Sequence, residues 1–241
     1  MTPPTRKKPE RRTDALSRER IVEAAVDLLD QAGESGLTFR ALSERLATGP
    51  GAIYWHVAGK GELLAAATEH AVTTALADGP DGPGGPGGPG GPAREIHAVA
   101  LGLFDAVEAH PWLADQLAAQ LSHQPSGPVA LRVLETIGRQ VYALDVPASS
   151  WFTATSALVH YILGAAGQNA ANRMRARSLG PEADRSAYFD TVAQSWKELS
   201  PEDYPFIRAL ADQGLEHDDR VQFLAGIDLI IAGVTGSLPF S

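Results

Sequence analysis

Between positions 38 and 60 the chain sets Thr38, Arg40, Tyr54, His56 and Lys60 among small and apolar residues. Hydroxyl, guanidinium, imidazole and ammonium groups bond the phosphate oxygens and base edges of nucleic acids. The spacing fits two short helices separated by a break at Thr48-Gly49-Pro50. That is the outline of a helix-turn-helix, whose second helix enters the DNA major groove. Thr38 caps the first helix, and the exposed helix N-terminus there can donate to a phosphate. Arg40 reaches a phosphate or a base edge. Gly51 and Ala52 keep the second helix thin, so that its backbone can sit deep in the groove. Tyr54 can cover a thymine methyl or bond a phosphate through its hydroxyl. His56 and Lys60 lie at the far end, where the strand backbone would pass. The alternative is an ordinary helical corner, which many all-α proteins contain.

Other chemistry finds little support. No paired carboxylates and no nucleophile–base spacing stand out. The chain has no cysteine, which excludes disulfides, thiolate catalysis and Cys-ligated metals. Its histidines form no i, i+4 pair on an expected helix, so no metal site is expected. The Gly-rich run lacks the Lys-Ser/Thr of a P-loop. No enzymatic activity and no cofactor are expected.

The elements that must position the polar residues are helical throughout. Ser17 is an N-cap, and Ile21, Ala24, Ala25, Leu28, Leu29 and Ala32 follow at helical spacing until Gly33 closes the helix. Thr38 opens a second helix through Leu46, with Leu42 on its apolar face. Pro50 suits the first position of the third, in which Ile53 and Val57 share a face. A fourth runs from Lys60 to about Ala77. The expected organisation is a basic disordered arm over 1–16, a DNA-binding head over 17–62 and a connecting helix over 63–78. A Gly/Pro-rich insertion over 79–92 and a helical body over 93–241 follow. Residues 79–92 hold eight Gly and five Pro, a composition of flexible or polyproline-like chain.

In the body, Ile96, Ala100, Leu103 and Val107 form one stripe, and Leu113, Leu117 and Leu121 another. Leu131, Leu134, Ile137, Val141 and Leu144 make a third. A long helix is expected near 149–177 and a last one near 218–235, with shorter helices punctuated by Pro181, Pro201 and Pro205 between them. No segment alternates with period two, so the fold class is all-α. The last helix carries two apolar stripes, Leu224-Ile227-Ile231-Val234 and Phe223-Gly226-Ile230-Gly233. The long helix is similar, with Leu158, Ile162 and Ala165 on one side and Ala157, Tyr161, Gly164 and Gln168 on another. A surface helix of a monomer needs one stripe. Two stripes imply burial on both sides, one toward the helix's own domain and the other toward a partner subunit; the alternative is that both are central helices of one core.

The net charge of −9 argues against a nucleic-acid binder, but its distribution does not. Residues 1–60 carry ten Lys/Arg against eight Asp/Glu, and residues 61–241 carry ten against twenty-one. Local field, not global sum, meets a phosphate backbone. No apolar run reaches the ~18 residues of a membrane span. The N-terminus is basic without a following apolar core, so no secretory signal is expected, and the cytoplasm is the expected location.

Leu37-Thr38-Phe39-Arg40-Ala41-Leu42, Leu46, Gly51-Ala52-Ile53-Tyr54-Trp55-His56-Val57, Lys60 and Glu62-Leu63-Leu64 resemble the DNA-binding domain of the tetracycline-repressor (TetR) family. Tyr-Trp-His-Val followed by Lys resembles the branch that contains the tetracycline repressors themselves. The resemblance covers most of residues 17–70, and residues 223–233 are similar to that branch's closing helix. It implies an all-α homodimer that binds a double-stranded DNA operator with inverted-repeat symmetry. The dimer would join through the helices near 149–177 and 218–235. Members usually repress transcription until a small-molecule inducer binds the core. Thr38, Arg40, Tyr54, Trp55, His56 and Lys60 match the family's DNA-contact positions. Trp55 has a second reading as a partial core residue, and His56 as a capping or packing residue.

There are departures. The usual Gly-Val-Ser turn reads Ala47-Thr48-Gly49, and Pro50 and Gly51 stand where relatives often place a polar base reader. Readout then leans on Arg40, Thr48, Tyr54 and DNA shape. For an inducer pocket the candidates are Trp112, Gln116, His123, Trp151, His160, Asn169 and Tyr188, each of which also has a structural reading. The tetracycline repressors hold a magnesium–drug complex through histidines, and at one such place this chain has Leu117, so that chemistry is not expected. The alternative to a regulator is an all-α small-molecule-binding protein or enzyme with a vestigial DNA-binding head.

Overall fold

The computed structural model describes residues 16–77, 91–178, 185–213 and 218–236, without the side chains of 176–178 and 185–187. Helices form throughout, and no strand appears among the described residues. The chain divides into two compact units, Met1–Ala67 and Thr68–Ser241.

In the first unit, α1 spans Arg18–Gly36. Ser17 caps it, its hydroxyl accepting from the Arg20 N–H at 3.3 Å. Gly33 leaves helical geometry at φ +62°, and one further turn follows to Gly36. Left-handed backbone of this kind suits glycine, which has no Cβ to clash. Next come α2 (Phe39–Arg45), α3 (Pro50–Tyr54) and the start of α4 (Lys60–Ala77). Ile21, Leu29, Leu37, Leu42, Ile53, Val57 and Leu63 are fully buried in this unit.

The second unit holds α5 (Gly91–Ala109), α6 (Leu113–His123), α7 (Pro128–Ala143), a 3₁₀ turn at Ala148–Ser150, α8 (Trp151–Ser178), α9 (Arg185–Lys197), α10 (Pro205–Gln213) and α11 (Asp219–Thr235). Four helices, α5, α6, α7 and α11, pack on α8, whereas α9 and α10 pack chiefly on each other. The Ile96, Ala100, Leu103 and Val107 stripe is buried as its spacing predicts. Polar contacts tie α5 to its neighbours: Arg220 grips Asp105 with both terminal nitrogens, Arg173 pairs with Glu108 at 2.5 Å and the His97 ring hydrogen-bonds Asp228 at 2.7 Å. The Asp218 carboxylate caps α11, accepting from the N–H groups of Arg220 and Val221 at 2.8 and 2.9 Å.

Three expectations need correction. Of the insertion placed at 79–92, residues 79–90 lie outside the described residues, as do residues 1–15 of the basic arm. Gly91 and Pro92, however, open α5, because proline at a helix start forfeits no hydrogen bond. Leu131 is exposed, and α7 buries Val129 and Val133 beside the expected Ile137 and Val141. The two stripes of α11 do not face opposite ways. Phe223 from one and Ile227 from the other are both buried. Adjacent stripes are about 100° apart, so together they form one broad inward face. The outward face is Val221, Ala225, Leu229 and Ala232.

Tyr161 joins α8 to α11. Its ring stacks on Phe223 at a centroid distance of 5.8 Å, and its hydroxyl donates to the Phe223 carbonyl at 3.2 Å. Burial pushes the phenol pKa upward. Gly226 makes room for this ring, because a Cβ there would overlap the Tyr161 hydroxyl and ring carbons. Gly226→Ala should therefore displace the ring and destabilise the unit by about 1–3 kcal/mol, read by denaturant unfolding. An unchanged midpoint would contradict this account of the α8–α11 contact.

Candidate nucleic-acid interface

The corner between α2 and α3 is built from short-range bonds. Thr38 is extended and caps α2, its Oγ1 accepting from the Ala41 N–H at 3.1 Å. The cap uses the oxygen as acceptor and leaves the hydroxyl proton to donate outward. After α2 the Ala47 N–H donates to the Glu44 carbonyl at 3.3 Å and the Thr48 N–H to the Ser43 carbonyl at 3.0 Å. Ala47 takes φ +49° in that turn, a region that disfavours a side chain. Gly49 caps α3 with no side-chain bond, and Pro50 is its first residue. The Val57 N–H closes the far end on the Ile53 carbonyl at 3.2 Å.

The buried and exposed residues alternate sharply here. Ile53 and Val57 are buried, whereas Tyr54 is 56 % and Trp55 90 % exposed. Trp55 is therefore a surface residue, and its reading as partial core is overturned. Tyr54 lies flat against Phe39 of α2, with ring centroids 4.4 Å apart and planes 9° apart. That stack fixes the Tyr54 ring beside α2. Thr38, Arg40, Gly49, Pro50 and Gly51 are exposed, and Thr48, His56 and Lys60 are half-buried. His56 lies within electrostatic reach of Glu19, whose carboxyl is held below its ordinary pKa chiefly by a backbone N–H and the Ser17 hydroxyl.

Ion pairs brace the corner. Arg45 on α2 meets Asp27 on α1 at 2.5 Å. Lys60 Nζ donates to the Glu34 carbonyl at 2.6 Å, a favourable place for a cation at a helix C-terminus. Glu62 accepts from the Ala58 N–H at 2.7 Å and from Arg18 at 3.2 Å. These two donors, Ala58 first, hold its carboxyl below the ordinary range. Arg40 Nε donates to Glu44 at 3.0 Å within α2. The sequence pattern singles out neither the Phe39 platform nor Glu44; an aromatic and an acid beside expected contact residues were the available signals.

The inducer-pocket candidates separate. Asn169 on α8 is buried, and Trp112, the residue that precedes α6, and Gln116 on α6 are half-buried. These two helices approach where Ala114 faces Gly167. His123, His160 and Tyr188 are exposed. Trp151 is 39 % exposed; its indole donates to the Val146 carbonyl at 3.0 Å and its ring leans on Tyr142. Leu117 is fully buried. Sequence reasoning missed Gln120, Gln140 and Thr155, which are also buried. Their signal was a polar residue on the inward face of an apolar helix. None of the buried polar residues described in this unit is charged.

Known families now give this arrangement a place. The model for "Bacterial regulatory proteins, tetR family" matches residues 21–67. The model for "Tetracyclin repressor-like, C-terminal domain" matches residues 89–238. The chain belongs to the TetR family. A TetR transcriptional regulator of solved structure, SCO7222 from Streptomyces coelicolor, is 59 % identical with a TM-score of 0.79, over 92 % of this chain and 99 % of that one. The transcriptional repressor DrrR1 of Streptomyces coeruleorubidus is 26 % identical over 90 % of this chain and 79 % of its own length. ActR of Streptomyces coelicolor, solved in complex with (S)-DNPA, is 22 % identical with a TM-score of 0.68, over 92 % and 98 %. SCO7222 and DrrR1 are named as transcriptional regulators. No described helix is long and apolar enough to cross a membrane.

Two outcomes follow from the corner's geometry. Ala47→Gly removes a Cβ from left-handed backbone and should raise head stability by up to about 1 kcal/mol; a lower midpoint on thermal unfolding would contradict this. Glu62 has a depressed carboxyl, so its contribution is present at neutral pH and is lost as pH falls through the folded-state value. Glu62→Gln should lower stability at neutral pH and flatten the loss below the ordinary glutamate range. An unchanged pH profile would remove Glu62 from the account.

Proposed function

We propose that the chain is a ligand-responsive transcriptional repressor that binds an inverted-repeat operator as a homodimer and is released by a small-molecule inducer. The observation carrying this reading is the α2–α3 corner. Two aromatic side chains stand uncovered there next to an exposed guanidinium and a capping hydroxyl. Adjacent exposed aromatics rimmed by polar groups favour an interaction surface, and these are suited to base edges, thymine methyls and sugar–phosphate. Thr38 would position the backbone, with Arg40, Thr48 and Tyr54 reading the bases. The thin Gly49-Pro50-Gly51 entry and Trp55 would pass close to the groove. His56 and Lys60 would meet the flanking strand, Lys60 leaving the Glu34 carbonyl for a phosphate.

The dimer would form through the outward faces of α8 and α11. Ala157, His160, Gly164 and Gln168 on α8, with Val221, Ala225, Leu229 and Ala232 on α11, are exposed in the single chain. Several are small or apolar, which favours close helix packing. A dimer sets its recognition helices about 34–36 Å apart or somewhat more. An inducer in the second unit would favour a spacing that no longer fits. A near-complete switch requires about 5.5 kcal/mol of preference between the two states. The inducer would lie near Trp112, Gln116 and Asn169 and meet an indole and neutral amides there. The remaining candidates, His123, Trp151, His160 and Tyr188, would join such a site through rearrangement or a second subunit. The protein would act in the cytoplasm.

The described head carries Arg18, Arg20, Arg40, Arg45 and Lys60 against Glu19, Glu23, Asp27, Asp30, Glu34, Glu44 and Glu62. It has no net positive charge with which to attract DNA. Arg6, Lys7, Lys8, Arg11 and Arg12 supply it. Removing residues 1–14 should weaken binding to every duplex and reduce the salt slope by about 0.9 for each phosphate that the arm neutralises. An unchanged slope would show that the arm takes no part. The function itself is tested by selecting bound duplexes from a random library with the full-length protein. A recovered inverted repeat is expected; recovery of no motif at both low and moderate salt would overturn the reading.

A further inference from the structure

Arg40 and Glu44 stand one helical turn apart on α2, with 89 % and 67 % of their side chains exposed. The other cations with described ion pairs in this unit join separate segments: Arg18 to Glu62, Arg45 to Asp27 and Lys60 to Glu34. Their role as struts is plain. The Arg40–Glu44 pair lies within one helix and braces nothing across the fold. Its geometry has a different consequence. Glu44 Oε1 takes the Nε–H of Arg40. The guanidinium has five N–H donors, and this contact engages the edge nearest the stem. Donors on both terminal nitrogens remain, and that pair of nitrogens forms the fork that grips O6 and N7 of guanine.

We propose that Glu44 is a specificity-determining positioning residue that acts through Arg40; this rests on the reading of the α2–α3 corner as the DNA interface. Held by its Nε edge, Arg40 is restrained from swinging to whichever phosphate is nearest and presents its terminal nitrogens as a fork. The carboxylate also offsets the guanidinium charge, which reduces attraction to phosphate on any sequence. A guanine in register still satisfies the fork, because that contact depends on two directed hydrogen bonds. Glu44 thus weakens indiscriminate binding and sharpens readout of one base pair.

The test uses full-length protein and two duplexes: the one recovered by selection and a random-sequence control of equal length. Glu44→Gln is isosteric and exposed, so helicity by circular dichroism should not change. Its affinity for the control duplex should rise severalfold, and the log–log salt slope should steepen by about one. Discrimination between the guanine that depends on Arg40 and its substitutes should fall about twofold, the restraint that an exposed i, i+4 pair supplies. In an Arg40→Ala background, Glu44→Gln should leave discrimination where Arg40→Ala put it. Equal changes on both duplexes would mean that Glu44 acts by charge alone and would overturn the positioning role. So would unchanged binding, or an equal loss of discrimination in the Arg40→Ala background. If the parent protein selects no duplex, the reading of the head fails and the proposal falls with it; a selected duplex with an inert Glu44 overturns the proposal alone.

Discussion

Burial of Ile53 is the constraint on which the interface depends. A five-residue helix cannot sustain itself in water, because helix nucleation costs more than so few bonds return. The α3 helix persists because Ile53 and Val57 are fully covered, each burial contributing roughly 1.5–3 kcal/mol. The helical step of 100° then fixes the rest. With Ile53 inward, Tyr54 and Trp55 must turn outward, and they are 56 % and 90 % exposed. Phe39 completes the arrangement by holding the Tyr54 ring flat at 4.4 Å. The apolar core thus determines where the polar and aromatic contacts point.

Electrostatics serve the fold before they serve the partner. Arg18, Arg45 and Lys60 are each engaged with an acidic residue or its carbonyl elsewhere in the first unit. Exposed pairs of this kind contribute little each, but they set the angles between short helices that have small apolar contacts. The consequence is a head whose cations are largely committed internally. In the second unit the same device appears along α5, where Asp105, Glu108 and His97 reach α8 and α11. There, Asp105 and His97 join α5 to α11, and Glu108 joins α5 to the central helix.

Much of this was legible because caps and periods are local physics. Ser17, Thr38 and Asp218 accept the first N–H groups of their helices, and Pro50 and Gly33 stand where helices begin and break. The Ile96–Val107 stripe needed nothing beyond period 3.6. What was not legible depends on neighbours. Leu131 looks like a core residue by type, yet Val129 and Val133 occupy the inward face of α7. The stripes of α11 differ by one residue, and sequence alone does not say whether such stripes are two faces or two edges of one. The exposure of Trp55 and the Phe39–Tyr54 stack arise from side-chain packing across a corner, whereas the Arg40–Glu44 pair has the i, i+4 spacing of a single helix. Gln120 and Gln140 were passed over because glutamine is usually a surface residue.

The central claim is that the face bearing Tyr54 and Trp55 is the surface that DNA covers. Its most direct test is the accessibility of Trp55. Replacing Trp112, Trp151 and Trp196 by Phe leaves it as the sole tryptophan fluorophore, 90 % exposed in the free chain. Acrylamide should quench it strongly without DNA and much less once the selected duplex is saturating. Strong quenching that persists at saturation, with binding verified independently, would place the DNA elsewhere and contradict the account.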